Sequence, residues 1–193
     1  VVSVIVTVGP GHEKWLVDAL DSVWAQSYPD WECVVVNDTG APLSLSTTTS
    51  PQISASGVFG GKGLTGFPWA RVVEMRGNRG ASAARNEGFK QTQGKYVVWM
   101  DADDIWLPWF LDLMVGHAEK NDGVIFSDMI VDDGKERKIS RYPEFNCGRV
   151  IADYVHAGSS VLIPRHIVQA VMNTQGGWDT SIPGKEDWDF QIA

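Results

Sequence analysis

Asp101 and Asp103 stand one residue apart at the end of the apolar run 96–100, within Asp101-Ala102-Asp103-Asp104. At a strand end that spacing sends both carboxylates to the same side. Two carboxylates suit a hard cation such as Mg2+ or Mn2+, whose other positions go to water and diphosphate oxygens. The cation would neutralise charge gathering on a departing diphosphate. Asp104 reads as a further ligand or an orienting neighbour. A calcium loop of the EF-hand type is excluded, because Ile105 and Trp106 occupy the positions that need an acid or Asn and a glycine. The plain alternative is a solvated acidic turn.

Other segments carry weaker signals. Asn78-Arg79-Gly80-Ala81-Ser82-Ala83-Ala84-Arg85-Asn86 enters a helix whose first N–H groups favour an anion. Arg85, on the first or second turn, can reach a phosphate or a base; taken alone it reads as a surface arginine. Glu186-Asp187, between Gly184-Lys185 and Trp188, supplies either acids at a helix start or a general base. Two glycine-rich segments fail their motifs. Lys14 takes the third glycine position of a dinucleotide fingerprint after Gly9-Pro10-Gly11, and Ser56 and Gly63 break the phosphate-loop pattern around Lys62.

The elements that must position these residues follow from periodicity. Residues 2–8 form a β-branched apolar strand. Trp15, Leu16, Ala19, Leu20, Val23 and Trp24 make a helical stripe, and residues 31–36 a second strand running into Asn37-Asp38-Thr39-Gly40. Strand, helix, strand predicts a parallel pair with a right-handed crossover. Residues 41–68, rich in Ser, Thr and Gly and without period, read as a long mobile loop or insertion. A third strand is expected at 71–75, and a helix at 81–93 closed by Gly94 in the C′ position. A fourth strand follows at 96–100, then a helix opened by Pro108. Strands are expected at 124–131 and 138–142 around Asp133-Gly134, and at 160–163 before a helix to about residue 173. This order describes one α/β domain over residues 1–193, with a mostly parallel sheet covered by helices. Ligands bind such sheets at the carboxyl ends of the strands, where Asp38, Asp101 to Asp104 and, further on, Glu186-Asp187 are expected to fall.

Composition narrows the partners. Twenty-four acidic against sixteen basic residues give a net charge of −8. That field repels DNA and RNA, so a nucleic-acid partner is not expected, whereas a cation can bridge a small anionic ligand. No apolar run approaches the roughly 20 residues of a membrane span. The chain opens directly on a strand without Met or leader, which reads as a mature or trimmed start. Cys33 and Cys147 form no disulfide or zinc pattern, and a reducing cytoplasm is the expected compartment, with its membrane face as a peripheral option.

Taken in order, a strand ending at Thr7, a strand ending in Asn37-Asp38, Asn78-x-Gly80-x4-Arg85-Asn86, a strand ending in Asp101-Ala102-Asp103-Asp104, and Glu186-Asp187 together resemble family 2 of the inverting glycosyltransferases. The resemblance covers nearly the whole chain. It implies a Rossmann-like nucleotide-diphospho-sugar transferase fold of the A type (GT-A). It implies transfer of a hexose-like sugar from a nucleotide-diphosphate donor, UDP-sugar foremost, to a hydroxyl of a sugar or glycoconjugate, with inversion and with Mn2+ or Mg2+. At matching positions, Thr7, Asp38 and Arg85 face the donor nucleotide, with Asp38 at the base. Asp101-Ala102-Asp103 is the Asp-x-Asp motif for metal and diphosphate, and Asp187 is the base on the acceptor, with Glu186 as runner-up. The chain departs from the family pattern in four places, one of them a longer stretch between the second and third strands. Val8-Gly9 replaces a Tyr-Asn pair, Asp38-Thr39-Gly40 replaces Asp-Gly-Ser, and the chain stops six residues after Asp187, where members commonly continue into acceptor-binding helices. Of the nine tryptophans, Trp106, Trp109, Trp178 and Trp188 flank the acidic motifs. Trp106 and Trp188 are the candidates for stacking on an acceptor sugar, while Trp15, Trp24 and Trp99 are expected in the core. Two rival readings remain: a sugar-phosphate nucleotidyltransferase with residues 9–14 as its phosphate loop, and a non-catalytic nucleotide-sugar-binding domain.

Overall fold

Val2–Val8 (β1) is buried at every residue. A nearly continuous apolar run is what a strand covered on both faces requires. In the computed structural model, which describes residues 1–43, 63–64, 66–121, 123–142 and 158–182, β1 is the centre of the sheet. It pairs in parallel with Trp31–Asn37 (β2) on one side and Tyr96–Asp101 (β5) on the other. Phe67–Glu74 (β4) extends the parallel set beyond β2, and Gly63–Leu64 (β3) closes that edge antiparallel. Beyond β5 lie Val161–Pro164 (β9) and Ile125–Phe126 (β6), both antiparallel to their neighbours. The order is β3-β4-β2-β1-β5-β9-β6. The result is the expected α/β architecture: a sheet with a parallel centre, antiparallel edges and helices on both faces.

The two-residue alternation of β1 divides the core. Val2, Val4, Val6 and Val8 meet Leu16–Trp24 (α1) and Phe110–Asn121 (α3) on one face. On the other face Ile5, Val34 and Val36 meet Ala81–Lys90 (α2) and Arg165–Gln175 (α4). Gly88 sets the closeness of α2 to the sheet. A Cβ there would fall 2.2 Å from Ile5 Cγ2 and 3.1 Å from Val36 Cγ2. Gly88→Ala is therefore expected to destabilise the fold by about 1–3 kcal/mol through overpacking, against a helix-propensity gain of about 1 kcal/mol. Urea unfolding would show a lowered midpoint, and an unchanged or raised midpoint would mean that α2 has room to shift.

Several sequence expectations are corrected. The third strand begins at Phe67 rather than residue 71, and Phe67 is fully in the core. Most of the expected 41–68 loop, residues 44–62 and 65, lies outside the described residues, as does Cys147. Helix α2 ends at Lys90, so Gly94 is not its C′ residue. Gly94 instead lets the chain press on β1, where a Cβ would meet Ser3 Oγ at 2.6 Å and Ser3 N at 2.7 Å. Helix α3 begins at Phe110, while the carbonyl of Pro108 accepts the Ser27 N–H at 2.7 Å. The strand expected at 124–131 is broken at Ser127, whose N–H bonds the Ser160 carbonyl. Past that point Met129–Asp132 (β7) pairs with Arg137–Ser140 (β8) as a separate hairpin. Trp99 is core and Trp24 is half-buried in a cluster with Trp31 and Trp69, but Trp15 is exposed. Cys33 is a buried thiol on β2, with its ionisation pushed up by burial.

Candidate active site

The strand order reverses direction at β1, because β2 and β4 follow on one side and β5 on the other. The carboxyl ends of β1 and β5 thus border the crevice where such sheets bind ligands. Thr7 and Asp101 are register partners there. The Thr7 hydroxyl donates to Asp101 Oδ1 at 3.1 Å, and Arg85 Nη2 donates to the same oxygen at 3.3 Å. The Arg85 side chain is only 6% exposed, against 40% for Asp101. A guanidinium that far from water needs a carboxylate partner, so the pair fixes its own geometry. Among the described residues Asp101 Oδ2 makes no hydrogen bond.

Backbone bonds lock the turn that follows. The Ala102 N–H bonds the Thr7 carbonyl at 3.1 Å, the Asp104 N–H bonds the Asp101 carbonyl at 3.1 Å, and the Asp101 N–H donates to Ser159 Oγ at 2.9 Å. Ala102 is buried, so its methyl enters the core and it offers the site backbone only. Asp101 and Asp103 flank it as half-exposed carboxylates. Asp103 Oδ2 lies 3.5 Å from His12 Nδ1. His12 sits in the turn after β1, edge-on to Trp15. Sequence reasoning missed His12, and its place in the loop leaving β1 was the one available signal.

Asp38 stands at the carboxyl end of β2 as expected, but its carboxylate is engaged. Its Oδ1 accepts the Arg79 N–H and its Oδ2 the Gly80 N–H, each at 2.7 Å, and the residue is 3% exposed. It latches the end of β2 to the start of α2. Gly80 is the N-cap of that helix, at φ +87, and caps it with no side chain of its own. Asn37 builds the neighbouring turn, donating to the Ala41 carbonyl and to Glu74 while accepting from Thr39. Arg85 is not a surface residue. It lies beneath the indole of Trp178, its Cζ 4.7 Å from the ring centroid. Trp106, a candidate for acceptor stacking, is placed in the core: it is buried against Phe110 and its indole N–H bonds the Ser159 carbonyl at 3.0 Å. Glu186, Asp187 and Trp188 lie outside the described residues. Among the described residues no group of three or more His, Cys, Asp or Glu converges as a protein-only metal cage, and no helix is long and apolar enough to cross a membrane.

Comparison with known proteins shows the family and the fold. A model of glycosyl transferase family 2 matches residues 3–167. The "Uncharacterized glycosyltransferase YwdF" of Bacillus subtilis is 25% identical over 187 residues, covering 92% of this chain and 62% of that protein. The "Putative teichuronic acid biosynthesis glycosyltransferase TuaG" of the same organism is 26% identical over 102 residues, 53% of this chain and 36% of that protein. In fold, the chain is similar to S. aureus TarS 1-349 solved with UDP (TM-score 0.69, 19% identity, 98% of this chain and 53% of that one). It is also similar to the mannosyltransferase PcManGT of Pyrobaculum calidifontis, solved with GDP-Man and Mn2+ (TM-score 0.63, 20% identity, 100% of this chain and 51% of that one). The chain thus spans less than two thirds of these relatives and about half of these structural neighbours.

Proposed function

This chain belongs to glycosyl transferase family 2, and from that premise we propose that it moves a sugar from a nucleotide-diphosphate donor to an acceptor hydroxyl, with Mn2+ or Mg2+ and with inversion at the anomeric carbon. The observation that carries the reading is the convergence of Thr7 and Arg85 on one oxygen of Asp101 at the mouth between β1 and β5, with Asp103 just beyond. Such a fixed, half-exposed carboxylate pair fits a hard divalent cation that takes its other ligands from substrate phosphate and water. When bound, the cation supplies charge neutralisation for the departing diphosphate.

The chain's own residues divide the remaining work. Thr7 and Arg85 hold Asp101 Oδ1, which leaves Oδ2 without a hydrogen bond among the described residues, and Arg85 places a buried positive charge beside that carboxylate. Asp103 offers its carboxylate from the rim beside His12. Asp38, latched to the Arg79 and Gly80 N–H groups, keeps acceptor capacity on its carboxylate and faces the donor nucleoside, at the base. Asp187, with Glu186 as runner-up, is the base that takes the acceptor proton, and Trp188 lines the acceptor side. A UDP-sugar is the leading donor and a GDP-sugar the second, in keeping with the nucleotides bound to TarS and PcManGT. Family membership favours sugar transfer over nucleotide transfer.

A thermal-shift panel of UDP- and GDP-sugars, each with Mn2+ or with EDTA, tests the reading. At about 100 times its Kd the true donor adds about 2.7 kcal/mol, a rise of about 5–10 °C for a chain of this size, and only with metal. Pyrophosphate release from a nucleoside triphosphate and a sugar phosphate would replace this reading with nucleotidyl transfer.

A further inference from the structure

Asn86 is the next residue after Arg85 on α2, and its amide is not spent on its own helix. Its Nδ2 donates to the Trp178 carbonyl at 2.8 Å, and the Trp178 N–H donates to Asn86 Oδ1 at 2.9 Å, across a separation of 92 residues. This two-point pairing of a side-chain amide with a peptide fixes both position and orientation. The backbone around it is built for the approach. Gly176 and Gly177 hold φ of +82 and +93, and a Cβ on Gly177 would fall 2.4 Å from Asn86 Oδ1 and 2.3 Å from Met172 Sδ. No other residue type reaches that conformation and leaves that space.

The pairing delivers the Trp178 indole to one place. The ring packs edge-on to Trp99 at 5.5 Å and covers the Arg85 guanidinium at 4.7 Å. Trp99 in turn donates its indole N–H to the Arg85 carbonyl at 3.3 Å. A cation held over an indole face away from water is attracted more strongly than at a surface. The far end of the same guanidinium meets Asp101 Oδ1. Asn86, Trp178, Arg85 and Asp101 therefore form one chain of contacts from α2, through the segment after α4, to the acidic end of β5.

We propose that Asn86 is a positioning residue of the donor site: it holds Trp178 over Arg85, and thereby holds Arg85 against Asp101. The proposal rests on the nucleotide-sugar reading above. It assigns to Asn86 a role beyond the apolar packing of Trp178 on Trp99, since the ring it holds also covers a buried charge.

The test uses UDP with Mn2+ in calorimetry and the Arg85 side-chain Nε–H resonance in NMR, on the wild-type protein and on Asn86→Ala, Arg85→Lys and the double variant. Asn86→Ala is expected to weaken UDP binding by about 10–30-fold, up to the worth of one desolvated cation–π contact. In the Arg85→Lys background the same change is expected to cost less than about twofold, because coupled residues do not add. The Arg85 Nε–H, shifted upfield by the indole ring, should move toward the ordinary arginine position in Asn86→Ala without any ligand. If Asn86→Ala does not fold, Trp178→Leu keeps the peptide pairing, removes the ring, and should reproduce the loss of affinity. An unmoved Arg85 resonance, or an equal penalty in both backgrounds, overturns the proposal and leaves Asn86 a structural tie. A wild-type protein that binds neither UDP nor GDP overturns the nucleotide-sugar reading instead, and the ligand-free resonance then decides the positioning claim by itself.

Discussion

Asp101→Asn is expected to bring nucleoside diphosphate binding in Mn2+ down to the level seen in EDTA. The substitution keeps the shape at the end of β5 and an oxygen to accept from Thr7 and Arg85, so the buried guanidinium retains a partner. What it removes is the charge. In a chain of net charge −8 a diphosphate is repelled unless a cation stands between them. Loss of one charged ligand contact, worth about 1.5–3 kcal/mol, corresponds to a weakening of about 10–10²-fold. Asp103→Asn should act in the same direction. Asp101→Ala is the poorer test, because it also strips the Arg85 guanidinium of this carboxylate and confounds binding with folding. Calorimetry of UDP in Mn2+ and in EDTA checks the result. Equal wild-type affinity in the two conditions would remove Asp101 and Asp103 from the metal site.

The sheet was legible wherever burial was complete. β1, β2 and β5 lie within the parallel centre, and strands covered on both faces read as near-continuous apolar runs. β4 was read short because Pro68 stands in its first half. The proline is tolerated there since, among the described residues, the neighbour outside β4 is the two-residue β3. The direction of β9 left no trace, because a four-residue apolar strand reads the same in either orientation. Trp15 fits the helical stripe of α1 by spacing, yet it is the N-cap residue and lies outside the packed face, with Lys14 over its ring.

The site was legible as chemistry and less so as geometry. Asp101 closes β5, whereas Ala102 and Asp103 lie in the turn beyond it, so the strand alternation read from their spacing does not govern the pair. Asp38 shows the limit. A carboxylate at a strand end gives no sign in sequence that it will accept from two backbone N–H groups. Only the fold brings Arg79 and Gly80, some forty residues on, to 2.7 Å from it. Arg85 carries a similar lesson in reverse, since one arginine on a helix gives no sign that Trp178 will cover it. Asn86 lay inside the motif that drew attention to Arg85, but its partner is a backbone peptide, and backbone has no signature in sequence.

Asp187→Asn is expected to lower turnover by about 10²–10⁴-fold, the usual worth of a general base, while leaving donor and metal affinity nearly intact. Inverting transfer is a single displacement at the anomeric carbon. The acceptor oxygen attacks as the bond to the diphosphate breaks, and the acceptor proton must leave to a base on the attacking side. The diphosphate departs on the opposite side, where Asp101 and Asp103 stand in the reading proposed here, so neither of those can be the base. A separate carboxylate is required, and the Gly184-Lys185-Glu186-Asp187-Trp188 segment supplies two. The two are adjacent in sequence, so the role falls to one of them, and sequence alone does not choose. Asp187→Asn and Glu186→Gln each keep shape and remove basicity, so the pair of variants assigns the role. A deep loss in turnover with Asp187→Asn and a shallow one with Glu186→Gln fits Asp187 as base, and the reverse transfers the role to Glu186. NMR of the new anomeric proton supplies the second readout, with a β linkage from an α-linked donor. A retained linkage would require a covalent or front-face route, and would overturn the single displacement while leaving the proposed metal site standing.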